Sequence, residues 1–402
     1  MRHQNSVLHG VLKQVPWRRL DELTAAHAGA IGERGFTTKA HLIAMLYGQL
    51  SGATGLREIE AGLRSHADQL YHVGGRQAPF STLREANRTR PVAVFVGLFE
   101  ALVARLHRGS RRRVGEAVRL IDATSFRLSG QSERWARFSE NVCGAKAHVI
   151  YDPDADCPIY ASVTAENVND ITAAKAMPID PGATYVVDLG YYDFGWWAKL
   201  DDAGCRLVTR LKTNTRFEVV EDKPVPAGSS VLSDRTGHLP KRMAASRHNP
   251  MSRLVREVQV RIDTGKVLRL FTNDLAASAQ EIADLYKRRW EIELFFRWIK
   301  QTLKIRHFFG TSENAVRIQI ITALIAFVLL RLAHDATAIV KSPLRFAQLI
   351  RLNLMHRRPI SALLDPSDHA KLDNRQAGFE FLDLRPAIRT RPHRPTAIAY
   401  AI

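Results

Sequence analysis

The spacing of apolar positions divides the chain into a helical first part and a mixed second part. Residues 1 to about 112 show the three-to-four-residue apolar spacing of amphipathic helices, interrupted by short turns that contain Gly or Ser. The segment FTTKAHLIAMLYGQL, for example, begins with Thr and stops at SGATG. Short helices joined in this way are compatible with helix-turn-helix DNA binding and equally with an ordinary helical bundle.

The period changes after residue 113, where alternating and continuous apolar runs predict strands. The predicted order is β-β-β-α-β-α-β, and its segments are AVRLIDATSFRL, AKAHVIYD, PIYASVTA, NDITAAKAM, ATYVVDLG, FGWWAKLDDAG and CRLVTRLK. Four further runs between residues 213 and 275 predict an all-β insertion, with DTGK as a hairpin turn. This order indicates an α/β fold.

A long helix follows the insertion, and SAQE marks its start because Ser278 and Glu281 have the spacing of a capping box. A second apolar helix is predicted at about 314–340. Its greasiest run, Ile318 to Leu330, is shorter than the roughly 20 residues that cross a bilayer. We therefore expect a buried helix and no membrane partner.

These patterns predict five regions. They are a helical DNA-binding domain (1–112), a first part of the core (113–212), the β-rich insertion (213–275), the remaining core with two helices (276–345), and a helical or extended basic tail (346–402). The join HRGSRRRVGEA carries Arg111, Arg112 and Arg113, which favour contact with phosphate over a merely solvated loop.

The charge balance narrows the class of partner. The 402 residues carry a formal net charge of +18, which favours a polyanion and nucleic acid before a membrane surface. The three cysteines, Cys143, Cys157 and Cys205, form no CxxC pair, so neither a disulfide scaffold nor a structural zinc site is expected. The N-terminus lacks an apolar signal core. A reducing cytosol fits these features, and we expect a cytoplasmic protein.

The long helix LYKRRWEIELFFRWIKQTLK concentrates polar groups on one side. At about 100° per residue, six of them share a stripe roughly 80° wide. These are Tyr286, Arg289, Glu293, Arg297, Lys300 and Lys304. An apolar stripe lies beside them. Glu293 is either an ion-pair partner of neighbouring cations or a functional carboxylate, whereas Glu291 points elsewhere and is expected to be a solvated surface acid.

Two aspartates stand out because they lie in or directly after apolar strands. Asp122 is inside RLIDATSF and Asp188 ends ATYVVDLG. A carboxylate there is costly unless it is paired or binds a metal ion. The run DPDADCP begins like a calcium loop, but Cys157 and Val163 replace the Gly and the closing Glu that such a loop needs, so a hairpin turn is expected.

The spacing of Tyr286, Arg289, Glu293 and Lys300 is the Y-(2)-R-(3)-E-(6)-K signature, and the chain therefore resembles the IS4-type DDE transposases. IDATSFRL and VVDLGYYD are similar to the segments that carry the first and second Asp of that family. The resemblance implies a ribonuclease H-like catalytic core with a β-rich insertion, preceded by a helical N-terminal domain. Leu189 departs from the charged residue that often follows the second Asp, and Asp193 is a weaker rival to Asp188.

The resemblance also implies chemistry and partners. Asp122, Asp188 and Glu293 would be the catalytic residues and would bind two Mg²⁺ or Mn²⁺ ions, one activating water or a DNA 3′-hydroxyl and one stabilising the leaving oxygen. The expected DNA-binding residues are Tyr286, Arg289, Lys300, Arg297, Lys304 and Lys146. Double-stranded DNA, as terminal inverted repeats and target, would be the partner of a homodimer.

Three smaller expectations concern side chains near the helix. His148 lies on the same predicted strand as Lys146 and is expected to approach DNA with it, while Trp290 and Trp298 are expected to pack in the core, with base stacking as the alternative. Two other functions remain open: a ribonuclease H-like nuclease or resolvase without strand transfer, and a non-catalytic transposase-derived DNA-binding protein.

Overall fold

The structure is a computed structural model that describes residues 5–27, 35–107, 117–225, 228–244, 247–303, 305, 307–337 and 342–363. Predictions about Arg111 to Arg113, Lys304 and the basic tail from residue 364 onward therefore lie outside the described residues.

The first part of the chain is helical, as predicted. Its helices are α1 (Val7–Leu12), α2 (Trp17–His27), α3 (Thr38–Ser51), α4 (Leu56–Ser65), α5 (Ala67–Val73), α6 (Phe80–Thr89) and α7 (Val92–His107). Helix α3 begins where the sequence indicates, because the Thr37 hydroxyl accepts a hydrogen bond from the Ala40 amide. It ends at Gly52, whose φ of 76° is the left-handed conformation that Gly adopts readily.

The second part builds one large sheet. Its first strands and helices are β1 (Val118–Leu128), α8 (Glu133–Ala136), β2 (Arg137–Ser139), β3 (Val142–Asp152), β4 (Cys157–Ala165), α9 (Asp170–Ala174), β5 (Thr184–Val187), α10 (Phe194–Asp202) and β6 (Arg206–Arg210). The β-β-β-α-β-α-β order is confirmed, with α8 and the short β2 as additions. Residues Asp152 and Cys157 bound a hairpin turn, as expected for DPDADCP.

The strands predicted between residues 213 and 275 are present, and they extend the same sheet. They are β7 (Glu218–Lys223), β8 (Val231–His238), β11 (Val255–Arg261) and β12 (Val267–Thr272), while β9 (Arg242–Ala244) and β10 (Arg247–His248) form a separate pair. The order in the sheet is β2-β3-β1-β5-β6-β12-β11-β8-β7, with β4 on β3. DTGK makes the β11–β12 hairpin, with Gly265 at a φ of 80°.

Successive side chains of the strands alternate between two separate apolar cores. Leu120, Val149 and Val186 belong to the larger core, which also contains the N-terminal helices. Ile121, Ile150 and Val187 belong to the smaller core. We call the first side the helix face, because α11 (Ala279–Arg288), α12 (Trp290–Thr302) and α13 (Glu313–Asp335) cover it, and the second the aromatic face, because Trp196 and Trp197 of α10 cover it.

Helix α13 is the centre of the larger core. It is long and apolar enough to cross a bilayer, with mean hydropathy 2.0, but 83% of that apolar window is buried inside the protein. The N-terminal helices and α14 (Pro343–Asn353) surround it. The prediction of a buried helix is therefore confirmed, although α13 extends beyond its most apolar segment at both ends.

Candidate active site

Asp122 and Asp188 are brought together by the parallel pairing of β1 and β5. Ile121 is in register with Val187, so the next residue on each strand is the aspartate. Adjacent strands lie about 4.8 Å apart. Asp122 lies two positions after Leu120, and Asp188 lies two positions after Val186. Because side chains two positions apart on a strand share a side, both aspartates lie toward the helix face.

Glu293 reaches the same place from α12, which packs on β1. The predicted long helix is interrupted between α11 and α12 at Arg289, but Arg289 keeps helical dihedrals of −51° and −28°, so the stripe is carried across the break. The apolar stripe beside it is buried, including Ile292 and Ile299 at 0% and 3% exposure. The helix therefore buries one face and presents the adjacent one to a cleft, as predicted.

Arg289 links two of the three acids. Its Nη2 lies 2.7 Å from Glu293 Oε1, and its Nη1 lies 3.8 Å from Asp122 Oδ2. The ion-pair alternative for Glu293 is thus realised in the structure. The guanidinium also lies over the ring of Tyr286, 5.9 Å from its centroid. Tyr286 itself is buried at 8% exposure.

The surroundings of Asp122 compensate the negative charge of its carboxylate only in part. Burial raises its pKa to about 7, and the neighbouring charges of Asp188 and Glu293 add to this rise. The Ala123 amide, which donates to Oδ1 at 2.8 Å, and Arg289 oppose the rise in pKa but do not cancel it. A buried acid held beside two like charges is the situation in which an added cation is most favourable.

The donor chemistry of these residues fits a hard divalent cation. Mg²⁺ and Mn²⁺ prefer oxygen ligands, and Asp122, Asp188 and Glu293 supply only carboxylate oxygens. Among the described residues, no three or more His, Cys, Asp or Glu side chains lie close enough together to bind a metal ion. Since Arg289 contacts both Asp122 and Glu293, its guanidinium would have to shift for those carboxylates to share an ion.

An open cleft of about 460 Å³ lies against Asp122 and Glu293. Its lining comprises Asp122, Ala123, Thr124, Glu293, Phe296, Arg297, Lys300 and Gln301. Lys300 Nζ lies 5.3 Å from the centroid of the Phe126 ring, and partial burial lowers the pKa of Lys300. Arg297 is exposed and makes no ion pair among the described residues. The cleft therefore offers positive charge beside the acids.

The other predicted residues are placed differently. Lys146 lies on the aromatic face, on the other side of the sheet from Glu293, and pairs with Asp170 at 3.0 Å. His148 is fully buried beside it, so its expected approach to DNA is not supported. Asp193 caps α10 through the Trp196 amide at 2.8 Å and pairs with Lys175, which agrees with its lower rank.

Three further side chains correct or refine the sequence analysis. Trp298 packs edge-on against Phe327, as expected, but Trp290 is 48% exposed and is not a core residue. Glu291 does point away from the cleft, yet it is half-buried and paired with Arg288 at 3.1 Å, because the DPDADCP turn packs against this part of the helix. It is therefore not the solvated carboxylate that was expected.

Sequence reasoning gave no role to two side chains that adjoin the site, Asp170 and Tyr191. Asp170 is the first residue of α9, and Tyr191 follows Asp188 by three positions. The sequence NDITAAKAM shows a helix start but carries no sign that its acid faces Asp188. Only the packing of α9 on residues 189–191 reveals the contact.

Family models match two stretches of the chain. A family model described as "Transposase DDE domain" matches residues 114–329, and one described as a domain of unknown function (DUF4372) matches residues 3–76. The chain is 41% identical over 288 residues to the putative transposase y4zB of Sinorhizobium fredii, covering 71% of this chain and 80% of that protein.

A second relative is the probable transposase for insertion sequence element IS5377 of Geobacillus stearothermophilus, 30% identical over 266 residues, which are 64% of this chain and 68% of that protein. A third is the putative transposase for insertion sequence element IS4SA of Synechocystis, 23% identical over 281 residues, with coverage of 69% and 78%. Among solved structures, a piggyBac transposase synaptic complex with hairpin DNA matches the chain with a TM-score of 0.40 and 11% sequence identity. The match covers 91% of this chain and 80% of that one.

Proposed function

This chain belongs to the IS4-type DDE transposases, and on that premise we propose that it binds the terminal inverted repeats of an insertion sequence, cuts the DNA there and joins the ends to target DNA. Family membership makes it a DNA-transposing enzyme with a ribonuclease H-like core. One observation supports the assignment of the site most strongly. Asp122 and Asp188 follow paired positions on adjacent parallel strands, and Glu293 of α12 lines one cleft with Asp122.

Asp122, Asp188 and Glu293 would hold two Mg²⁺ or Mn²⁺ ions. Bound there, the ions would supply a nucleophile at neutral pH and stabilise charge on the leaving oxygen. The Asp122 side chain is 17% exposed and that of Glu293 is 31% exposed, so Asp122 would carry less hydration to be displaced on binding than Glu293. Arg289 would release Asp122 and Glu293 at that point and would be free to donate to a DNA phosphate.

The cations and the tyrosine of the stripe would hold the DNA backbone beside the cut. Arg289, Arg297 and Lys300 lie on the same side of the helix as Glu293, so they are in place to contact phosphates while the carboxylates hold metal. Tyr286, although buried, lies under the Arg289 guanidinium and would fix its direction. Lys304 and Lys146 were expected to join them, and Lys146 is the weaker candidate because it is committed to Asp170.

Assembly and location are part of the same proposal. A homodimer on DNA would pair two transposon ends, and the acting protein would be found with the bacterial chromosome in the cytoplasm. The net charge of +18 supports association with a polyanion but does not distinguish end DNA from other DNA.

The test replaces Glu293 by Gln in the full chain and assays end-containing duplex DNA with Mg²⁺ or Mn²⁺. We expect cleavage and joining to be lost while DNA binding persists, because the substitution removes one carboxylate and leaves the cations. Glu291→Gln is the matched control, since this acid is on the same helix but pairs with Arg288 away from the cleft. Equal activity of Glu293→Gln and wild type would contradict the proposal.

The same assay separates the two alternatives. A nuclease or resolvase would release cut ends but give no joined product when target DNA is added. A non-catalytic DNA-binding protein would shift the DNA in a gel and leave it uncut at every metal concentration.

A further inference from the structure

A polar cluster lies on the aromatic face of the sheet, across from Glu293. Lys146 and His148 of β3 alternate on the same side of the strand as Ile150, which belongs to the smaller core. Lys146 Nζ donates to Asp170 Oδ1 at 3.0 Å and to the Val168 carbonyl at 3.2 Å. Asp170 is the first residue of α9, so this ion pair ties α9 to β3.

The second oxygen of Asp170 adjoins the turn that carries Asp188. A Cβ on Gly190 would stand 3.4 Å from Asp170 Oδ2 and 3.0 Å from Asp188 Oδ1, so both carboxylates face the same small space. The Gly190 amide donates to Asp188 Oδ1 at 2.8 Å and fixes that carboxylate. Two carboxylates around one glycine repel each other, and Lys146, 3.0 Å from Asp170 Oδ1, supplies a positive charge that reduces the repulsion.

Tyr191 provides an independent link between Asp170 and the catalytic acids. Its side chain is fully buried, and its hydroxyl has no hydrogen-bond partner among the described residues. Burial raises the pKa of Tyr191 well above its ordinary value, and the charges of Asp122, Asp170 and Asp188 raise it further. The hydroxyl therefore stays protonated at neutral pH, within range of the charges of all three acids.

His148 completes the surroundings of Asp170. The Thr164 hydroxyl gives its only hydrogen to the Ala165 carbonyl, so it accepts from His148 Nε2 at 2.8 Å. The other ring nitrogen, Nδ1, then lies 3.8 Å from Asp170 Oδ1. Burial lowers the pKa of His148 to about 4, which leaves the ring neutral at pH 7. Lys146 is therefore the cation that compensates Asp170 in this cluster.

We propose that Lys146 and Asp170 are a positioning pair for Asp188. Their ion pair holds α9 against the turn at Gly190 and compensates the extra negative charge, so that the Asp188 carboxylate stays beside Asp122. Neither residue touches the reacting atoms. This inference rests on the proposed function, and it replaces the expected DNA contact of Lys146 by a role within the protein.

A double-mutant cycle on the full chain tests the pair, with Lys146→Met, Asp170→Asn and both together. We expect each single variant to lower kcat for cutting end DNA by about ten- to a hundredfold and to leave KM for DNA unchanged. Each should also weaken Mn²⁺ binding in the absence of DNA, read by electron paramagnetic resonance. The double variant should be no worse than the poorer single variant, and Lys146→Arg should restore most of the activity.

Two controls make the result specific. Lys175 and Asp193 form another Lys–Asp pair at the same face, 2.6 Å apart, so Lys175→Met should change neither kcat nor Mn²⁺ binding. The slope of DNA affinity against salt should be the same for Lys146→Met and wild type, because a lost phosphate contact would lower it by about one.

Two results would overturn the inference. One is a loss of DNA affinity and salt slope in Lys146→Met that Asp170→Asn does not share, which would make Lys146 a DNA contact. The other is an active wild type whose kcat and Mn²⁺ binding are untouched by both substitutions. A wild type that neither cuts end DNA nor binds Mn²⁺ would instead contradict the proposed function itself.

Discussion

The two charged residues at positions 119 and 122 of β1 stand only three residues apart but have opposite surroundings. Arg119 donates to Asp152 Oδ2 at 2.9 Å and to Asp180 Oδ2 at 2.7 Å, so its charge is matched on both sides. Asp122 instead lies beside Asp188 and Glu293, with Arg289 3.8 Å away as its cationic neighbour.

We propose that this difference distinguishes a charge that holds the fold together from a charge that serves the reaction. The Arg119 pairs are complete without any other molecule, and they fasten β1 to the turns at Asp152 and Asp180. The acids around Asp122 are compensated only in part by Arg289, and burial together with the charges of Asp188 and Glu293 raises the pKa of Asp122. Repulsion between these acids lowers the stability of the folded protein. Binding of cations at the site would remove the repulsion and restore that stability.

The largest effect is expected for Asp122→Asn. Loss of this carboxylate should lower DNA cutting by about a thousandfold or more, since it removes one of the three carboxylates that would hold the ions. The same variant without added metal should be at least as stable as wild type, because one of three repelling acids is gone. Cutting rates and urea unfolding in EDTA measure both. A variant that is inactive and strongly destabilised would place Asp122 with the structural charges.

Removal of the matched charge should act in the opposite way. Arg119→Ala removes the guanidinium that donates to the 1%-exposed Asp152 at 2.9 Å, and we expect a loss of about 2 kcal/mol in the free energy of unfolding because a hydrogen bond between charged groups is lost. Arg289→Ala should also destabilise the protein in EDTA, but Mn²⁺ should recover that loss because the ion takes over the role of the guanidinium. If Mn²⁺ restores Arg119→Ala equally well, the distinction between the two charges is wrong.

Metal removal gives a reversible effect of similar size. Mn²⁺ at a hundred times its Kd should stabilise wild type by about 2.7 kcal/mol relative to EDTA, as for any ligand that binds only the folded state. Denaturant unfolding at both conditions measures the difference. Asp122→Asn should show much less of it, whereas Asp193→Asn, which alters a helix cap outside the cleft, should keep all of it.

The smallest effect concerns Arg297, a cleft cation that makes no ion pair with the residues the structure describes. Arg297→Gln should weaken DNA binding a few-fold and lower the slope of log K against log salt by about one, because one phosphate contact is lost. Arg253 is the control, since it is exposed but already paired with Asp201 and Asp202. Titrations at several salt concentrations read the slope, and identical slopes for the Arg297 and Arg253 variants would remove Arg297 from the DNA surface.

Much of the fold and the acids of the site follow from the sequence because they depend on local periodicity. The apolar strands around Asp122 and Asp188 and the stripe through Glu293 are readable from spacing alone, whereas the grouping of the three acids is what the resemblance to the IS4-type DDE transposases implies. The hairpin at Gly265 and the cap at Ser278 are local features of the same kind.

The remaining features depend on contacts between distant segments. The extension of the central sheet by β12 follows from its pairing with β6, which no local pattern encodes. The exposure of Trp290 and the partial burial of Glu291 depend on what packs against the helix. Likewise, Lys146 was expected to contact DNA because it is a cation near the site, whereas its pairing with Asp170 arises only when α9 folds back on β3.

The central claim is that Asp122, Asp188 and Glu293 gather around divalent ions, and anomalous scattering from Mn²⁺ in crystals of the full chain tests it most directly. The account predicts Mn²⁺ within coordination distance of all three carboxylates, with the Arg289 guanidinium displaced from Asp122 and Glu293. Crystals that bind Mn²⁺ elsewhere, or that keep Arg289 on both acids at saturating Mn²⁺, would contradict it.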